Sequence, residues 1–132
     1  MNGSAVPAGV IADAVAAAKT YLRVEGSGED ALLVRLATAA IGHGEAYCGA
    51  VLVARSFSDD LATRRRWQRL PACPVTAIDT VEAVPGGALP IASYGIDIDA
   101  DGVGWVRTLL PVTATRLRIG YRAGAAATWD AI

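Results

Sequence analysis

The chain changes its hydrophobic period at Gly49, and that change limits what it can fold into. Upstream, VIADAVAAAKTYLRV repeats apolar residues at Ile11, Ala14, Val15, Ala18 and Leu22, the spacing of a helix with one covered face. VEGSGED interrupts the repeat, with Ser27 and Asp30 arranged as a capping box. A second helical run follows, EDALLVRLATAAIGHGEAYCG, with Leu33, Leu36, Ala40, His43 and Tyr47 along one stripe and Gly49 placed as its stop. Downstream the period falls to two. VTAIDTVEAV alternates and ends at the turn PGG, LPIASYGIDIDADGVGWVRTLL reads as a strand, a turn and a returning strand, and RLRIGYRAG sets Leu117, Ile119 and Tyr121 against Arg116, Arg118 and Arg122.

These periods predict an α+β fold in a single domain spanning 1–132. An N-terminal antiparallel helical hairpin (1–49) is followed by a connecting arm or loop (50–74), in which AVLVARSF starts like a strand or extended arm and SDDLATRRRWQRLPACP reads as an excursion outside the core. A small antiparallel β-sheet of hairpins (75–124) comes next, with hairpin and loop arms projecting from it. A tail (125–132) closes the chain, with Thr128 placed as the cap of a helix barely begun.

Composition narrows the function classes. A chain of 132 residues can bury a core without disulfides or metals, and a net charge of −1 argues against a dedicated nucleic-acid binder. No apolar run approaches the roughly 20 residues of a membrane span, and MNGSAVPAGVIADA lacks the basic region of a secretory signal. Cys48 and Cys73 lie too far apart for a CxxC motif, and His43 is the sole histidine, so a zinc site is not expected; two buried free thiols are.

DIDADG is the one segment that suggests a ligand. Asp97, Asp99, Asp101 and Gly102 fill the opening of an EF-hand calcium loop, but its twelfth position falls on Thr108, which cannot supply a bidentate carboxylate, and its eighth falls on Gly104. The flanks alternate like strands where the motif needs helices. A β-hairpin with Asp101–Gly102 as a two-residue turn accounts for the same residues. No metal or cofactor is therefore expected, and a small calcium- or ligand-binding module using Asp97–Gly102 is the alternative.

The other polar features carry no chemistry. His43 reads as a residue of a helix–helix contact, with Gly42 and Gly44 allowing close packing or a kink. Asp97 and Asp99 share a strand face in an exposed turn, where nothing raises a pKa. There is no nucleophile elbow, phosphate loop or dinucleotide fingerprint, so an enzyme is not expected. RRRWQR, Arg64 to Arg69, is the only dense basic cluster. A contact with protein suits its arginine and tryptophan best, ahead of a solvated loop or of phosphate with a base stacked on Trp67.

The order of these features resembles the head–tail connector (adaptor, or head-completion) proteins of long-tailed phages, prophages and gene transfer agents. AVAAAKTYLRVEGSGEDALLVRLATAAIGHGEAYCG is similar to their A-K-x-Y/H-L-R-V segment, acidic loop, D-x-L-L helix and E-x-Y-T-G ending, through Lys19, Tyr21, Leu22, Arg23, Asp30, Leu32, Glu45, Tyr47 and Gly49, with Cys48 in place of the threonine. RLPACPVTAIDTVEAV is similar to their L-P-x-x-P-V-x-x-I-x-x-V segment through Leu70, Pro71, Pro74, Val75, Ile78 and Val81. YGIDIDADGVGWV resembles their hairpin, and Tyr121, Ala123 and Gly124 match the Y-x-A-G of their last strand. Such proteins often continue into a C-terminal helix or tail, where this sequence ends at TWDAI.

The resemblance implies a structural virion protein at the head–tail junction, assembled in the host bacterial cytoplasm. It implies a homo-oligomeric ring, twelve-fold, beneath the portal protein, which extends the DNA channel and presents a surface to the next neck or tail-completion protein. Channel DNA would be touched only non-specifically, and no membrane is involved. A ring needs two complementary surfaces on each copy. The expected contact residues are Arg64, Arg65, Arg66 and Trp67 in the basic loop, Asp99, Asp101 and Trp105 in the hairpin, and Trp129 in the tail, with the acidic hairpin of one copy meeting the arginine cluster of another partner.

Overall fold

The computed structural model describes all 132 residues, Met1–Ile132. The expected helical hairpin is there as α1 (Ala8–Leu22) and α2 (Asp30–Cys48). Helix α1 ends at Arg23 in the left-handed region, and α2 ends at Gly49, φ 65°, whose N–H donates to the Glu45 carbonyl. The capping box does not form. The Asp30 N–H goes to the Ser27 carbonyl instead, and the Asp30 carboxylate accepts from Lys19 Nζ at 2.8 Å, tying the end of α1 to the start of α2.

Helix α2 also presents a different face from the one expected. Ile41 is buried beside Val10, Ile11, Val15 and Val53, with Leu33 and Ala37 packed against them. Leu36, Ala40, His43 and Tyr47 point outward and are exposed, so His43 makes no helix–helix contact. The physical reason is that α2 carries more apolar side chains than one face can hold, so spacing alone could not choose between two stripes.

Seven strands follow: β1 (Arg55–Ala62), β2 (Gln68–Arg69), β3 (Val75–Val84), β4 (Gly87–Ala88), β5 (Tyr94–Ile98), β6 (Gly104–Thr108) and β7 (Arg116–Ala123). They form two antiparallel sheets, ordered β1-β7-β3-β4 and β2-β6-β5. The inner sides of both sheets supply one core, in which Leu70, Val106, Leu117 and Ile119 are fully buried and Phe57 stacks on Tyr121. Alternation in β7 is as expected, with Leu117, Ile119, Tyr121 and Ala123 inside and the three arginines outside.

The segment 50–74 corrects the expectation of a connecting arm. Eight of its residues are strand β1, paired along its length with β7 from Arg55↔Ala123 to Ala62↔Arg116, and Leu70 and Ala72 are core residues. SDDLA looks polar because Asp59 occupies an inward position, between Phe57 and Leu61, and masks the alternation. The thiols differ from expectation too: Cys48, on the last turn of α2, is exposed, and Cys73 is half-buried.

The helices attach at one end of the long sheet. Val53, fully buried, belongs to the helical cluster, and its backbone bridges Ala126 just beyond β7. Trp129 starts a single 3-10 turn, Trp129–Ala131, with Thr128 in its N-cap position but making no side-chain cap hydrogen bond, and packs against the same cluster. At the far end of the sheet a second 3-10 turn, Ile91–Ser93, precedes β5.

Candidate interaction surfaces

The basic loop and the acidic hairpin, read as separate arms, are parts of one sheet. Strand β2 pairs with β6 at Gln68↔Val106 and Arg69↔Trp105, and β6 pairs with β5. The loop is held at both ends: Thr108 N–H donates to the Arg64 carbonyl at 2.8 Å, and Gln68 Nε2 donates to the Ala62 carbonyl at 2.6 Å. Trp67 and Trp105 flank a shallow cleft with Asp97, of about 210 Å³. The Arg107 guanidinium lies over Trp67, 4.5 Å from the ring centroid, so one face of that ring is already occupied. Arg64, Arg65 and Arg66 are exposed and enter none of the chain's ion pairs.

Asp99 is committed to its own loop. Its Oδ1 accepts the N–H of Asp101 at 2.9 Å and of Val103 at 3.0 Å, and its Oδ2 accepts Trp105 Nε1 at 2.9 Å. The Trp105 indole and then the Val103 amide hold its carboxyl below the usual aspartate range. The connection is therefore a five-residue loop from Asp99 to Val103, closed by a side chain, and not a two-residue turn at Asp101–Gly102. Gly102 adopts φ 79° inside it, and a Cβ there would stand 2.7 Å from Pro74 Cβ. Asp101 is exposed. No group of three or more His, Cys, Asp or Glu side chains is placed to hold a metal ion.

Trp129 lies elsewhere. It lines an open apolar groove along α1 and α2 with Tyr21, Leu22, Leu33, Leu36 and Ala40 among its walls, about 460 Å³ in volume. The structure thus brings seven of the eight expected contact residues to one sheet and its loops and puts the eighth at the helical end.

Two polar constellations are absent from the sequence reading. Glu45, at the end of α2, takes a bidentate contact from Arg55 at the start of β1, with Arg55 Nη1 to Oε1 at 2.7 Å and Nη2 to Oε2 at 2.8 Å. The Arg55 hydrogen bond, helped by the Leu52 and Val53 amides, holds the Glu45 carboxyl below its ordinary range against the opposing effect of burial. In the core, the Tyr121 hydroxyl donates to Asp59 Oδ2 at 2.5 Å and accepts the Ala72 N–H at 3.2 Å, while Asn2 N–H donates to Asp59 Oδ1 at 2.8 Å. Burial first, and the Asp59 bond second, push the Tyr121 hydroxyl's pKa well up. The signal for Asp59 was available: a lone aspartate on the inward parity of a strand, between Phe57 and Leu61.

No family model matches the chain, and no curated protein matches it. Solved structures do. A chain of the neck of an empty GTA particle, computed with C6 symmetry, superposes with a TM-score of 0.74 at 28% identity, over 100% of this chain and 75% of the other. A chain of the virion of a native gene transfer agent (GTA) particle gives 0.68 at 28% identity, over 100% and 76%. A chain of the neck of the native GTA particle, computed with C12 symmetry, gives 0.67 at 28% identity, over 100% and 74%. The resemblance carried by the motifs from Lys19 to Gly124 thus extends to a shared fold over the full length of the chain, with gene-transfer-agent neck structures.

Proposed function

We propose that this chain is a structural subunit of the neck of a gene transfer agent or related phage-like particle, acting as the adaptor between the portal and the tail. The likeness over the full length of the chain to chains of GTA necks carries this reading. The C6 and C12 symmetries of those necks support a ring of repeated copies, twelve in the form proposed here. Within it, the subunit's task is mechanical: to continue the DNA channel below the portal and offer the next neck or tail-completion protein a surface.

Two surfaces of the molecule suit that task. Arg64, Arg65, Arg66, Trp67, Asp101 and Trp105 form a mixed charged and aromatic surface, the residue types that dominate protein contacts, with Asp99 as its internal brace. Because the arginines share their sheet with Asp97 and Asp101 in a chain of net charge −1, DNA in the channel is touched only weakly. Trp129 and the helices form a second, apolar surface, and a ring requires two different ones.

Mass photometry of the purified protein, alone and mixed with the portal ring from the same genome, tests the reading. Decoration of the portal by a full set of subunits supports it. Absence of any association, with the protein folded, overturns it.

A further inference from the structure

Two exposed apolar surfaces of this chain lie toward opposite ends of the long sheet. The helical end is concave. Tyr21, Leu22 and Leu36, 86%, 57% and 55% exposed, stand around the groove, with Trp129 and Leu33 in its wall. The other end carries exposed apolar side chains on a braced turn. Ile91, Leu109 and Leu110 are 84%, 42% and 52% exposed, and the Ser93 carbonyl accepts the N–H of Leu109 at 2.9 Å and of Leu110 at 3.4 Å, fastening the 3-10 turn to the end of β6. Ser93 Oγ donates to the Pro90 carbonyl at 2.6 Å, so Ile91 projects from a braced turn.

Strand β7 measures the distance between them. Its Arg116 end adjoins the projection, through Ala114, Pro111 and Leu110, and its Ala123 end leads into Ala126 and Trp129. Eight strand residues at about 3.3 Å each separate the two by roughly 25 Å. Exposed apolar patches with aromatic walls mark protein contacts. In a ring of many copies, neighbours are turned only slightly from one another, so the two contact faces of each copy must lie on nearly opposite sides and must be unlike. The groove and the projection meet both conditions.

We propose that the α1–α2 groove of each copy receives the Ile91, Leu109 and Leu110 projection of the adjacent copy, making this the repeating contact of the ring. The inference rests on the ring reading above, with a second copy of this chain as the occupant.

Paired cysteines test it. In a Cys48→Ser, Cys73→Ser background, Leu36→Cys and Ile91→Cys are introduced together and separately. The protein is assembled on its portal ring and treated with a short bismaleimide. The doubly substituted chain should give a ladder of linked multimers, a mixture of the two single variants should give dimers and no ladder, and each single variant alone should stay monomeric. In parallel, Ile91→Asp, at a site too exposed to affect folding, should leave the melting temperature unchanged and weaken ring formation at least tenfold. Rings seen by mass photometry without a ladder would overturn the contact and leave the ring reading standing, as would linkage of Leu36→Cys to the portal. If no ring forms on the portal, both fail together.

Discussion

Glu45 and Arg55 meet through two parallel hydrogen bonds at the point where the chain leaves α2 and enters the sheet. The same carboxylate oxygen that takes Arg55 Nη1 also accepts the N–H of Leu52 at 3.0 Å and of Val53 at 3.4 Å. One side chain therefore fixes the direction of the segment that carries Val51 and Val53 into two different cores. This is the joint that holds the helical end against the sheet, and with it the spacing of the two surfaces a ring would use.

Glu45→Ala removes the partner of a guanidinium whose side chain is only 12% exposed and orphans two amides. Breaking a pair of this kind from one side costs about 3 kcal/mol, since the remaining charge stays partly desolvated. Thermal unfolding should show a drop of roughly 10 °C for a chain of this length. The pH dependence has a definite sign. The folded-state pKa of Glu45 lies below its ordinary value of 4.5, so its contribution is complete above about pH 4.5 and is lost as pH falls through the lower folded value. Stability measured by urea unfolding should fall more steeply below pH 4.5 in the natural protein than in Glu45→Gln. Parallel acid limbs would dismiss the pair as a stabilising element.

Tyr121→Phe keeps the ring stacked on Phe57 and deletes only the hydroxyl between Asp59 and the Ala72 amide. Two buried polar groups then lose a partner, at a cost of about 2–3 kcal/mol. Asp59→Asn keeps an acceptor for Tyr121 and should cost less. A double-mutant cycle in chemical denaturation would measure their coupling, and additive losses would show that the two side chains act independently.

How much of this was legible in the sequence depends on what each residue advertises. The β7 alternation, the Gly49 stop and the pairing of β5 with β6 follow from period and local chemistry and stand as read, whereas the turn between those two strands is the five-residue loop closed by Asp99 and not Asp101–Gly102 alone. Strand β1 was hidden because Asp59, an inward residue, looks like surface until Tyr121, sixty-two positions away, supplies its partner. Of the stripe expected on α2 only Leu33 is covered, because Ala37 and Ile41 are as apolar as Ala40 and Leu36, and only the position of α1 and Val53 decides which of them packs. The joining of the RRRW loop to the hairpin rests on the β2–β6 pairing of two residues, which no local pattern encodes.

Asp99→Ala should loosen the hairpin loop locally, because three donors lose their acceptor together. Amide exchange at Asp101 and Val103 should accelerate, while the core amides of β7 keep their protection. Calcium should leave the melting temperature of both proteins unchanged. A calcium-dependent rise present in the natural protein and abolished by Asp99→Ala would restore the metal-binding reading of Asp97–Gly102.

Two glycines make a matched pair. Gly124, in the Y-x-A-G segment, has φ 146°, and a Cβ there would run into the Val53–Ala54 backbone, so Gly124→Ala must push β7 away from the joint with the helices. Backbone cannot yield as a side-chain tip can, and a loss of at least about 3 kcal/mol is expected. Gly42, inside α2, has nothing within 4 Å of its added Cβ, so Gly42→Ala should raise stability by about 0.5–1 kcal/mol through helix propensity. Gly44 differs from it: its Cβ would meet Leu52 Cδ1 at 3.1 Å. Only the second glycine of GHG serves close packing.

The final prediction separates assembly from folding. Arg64, Arg65 and Arg66 are exposed and unpaired, and their loop is fastened through the Arg64 carbonyl and Gln68, neither of which a side-chain charge change at these positions alters. Reversing all three to glutamate should therefore leave the melting temperature within about 1 °C, since surface substitutions away from buried contacts are near neutral. If this loop contacts a neighbour or the portal, the same variant should bind the portal ring at least tenfold more weakly, and the natural protein's binding should weaken as salt rises, because exposed charges are screened. Unchanged binding at low salt, with the fold intact, would remove the arginine cluster from the contact surface and leave the apolar ends of the molecule to carry the assembly alone.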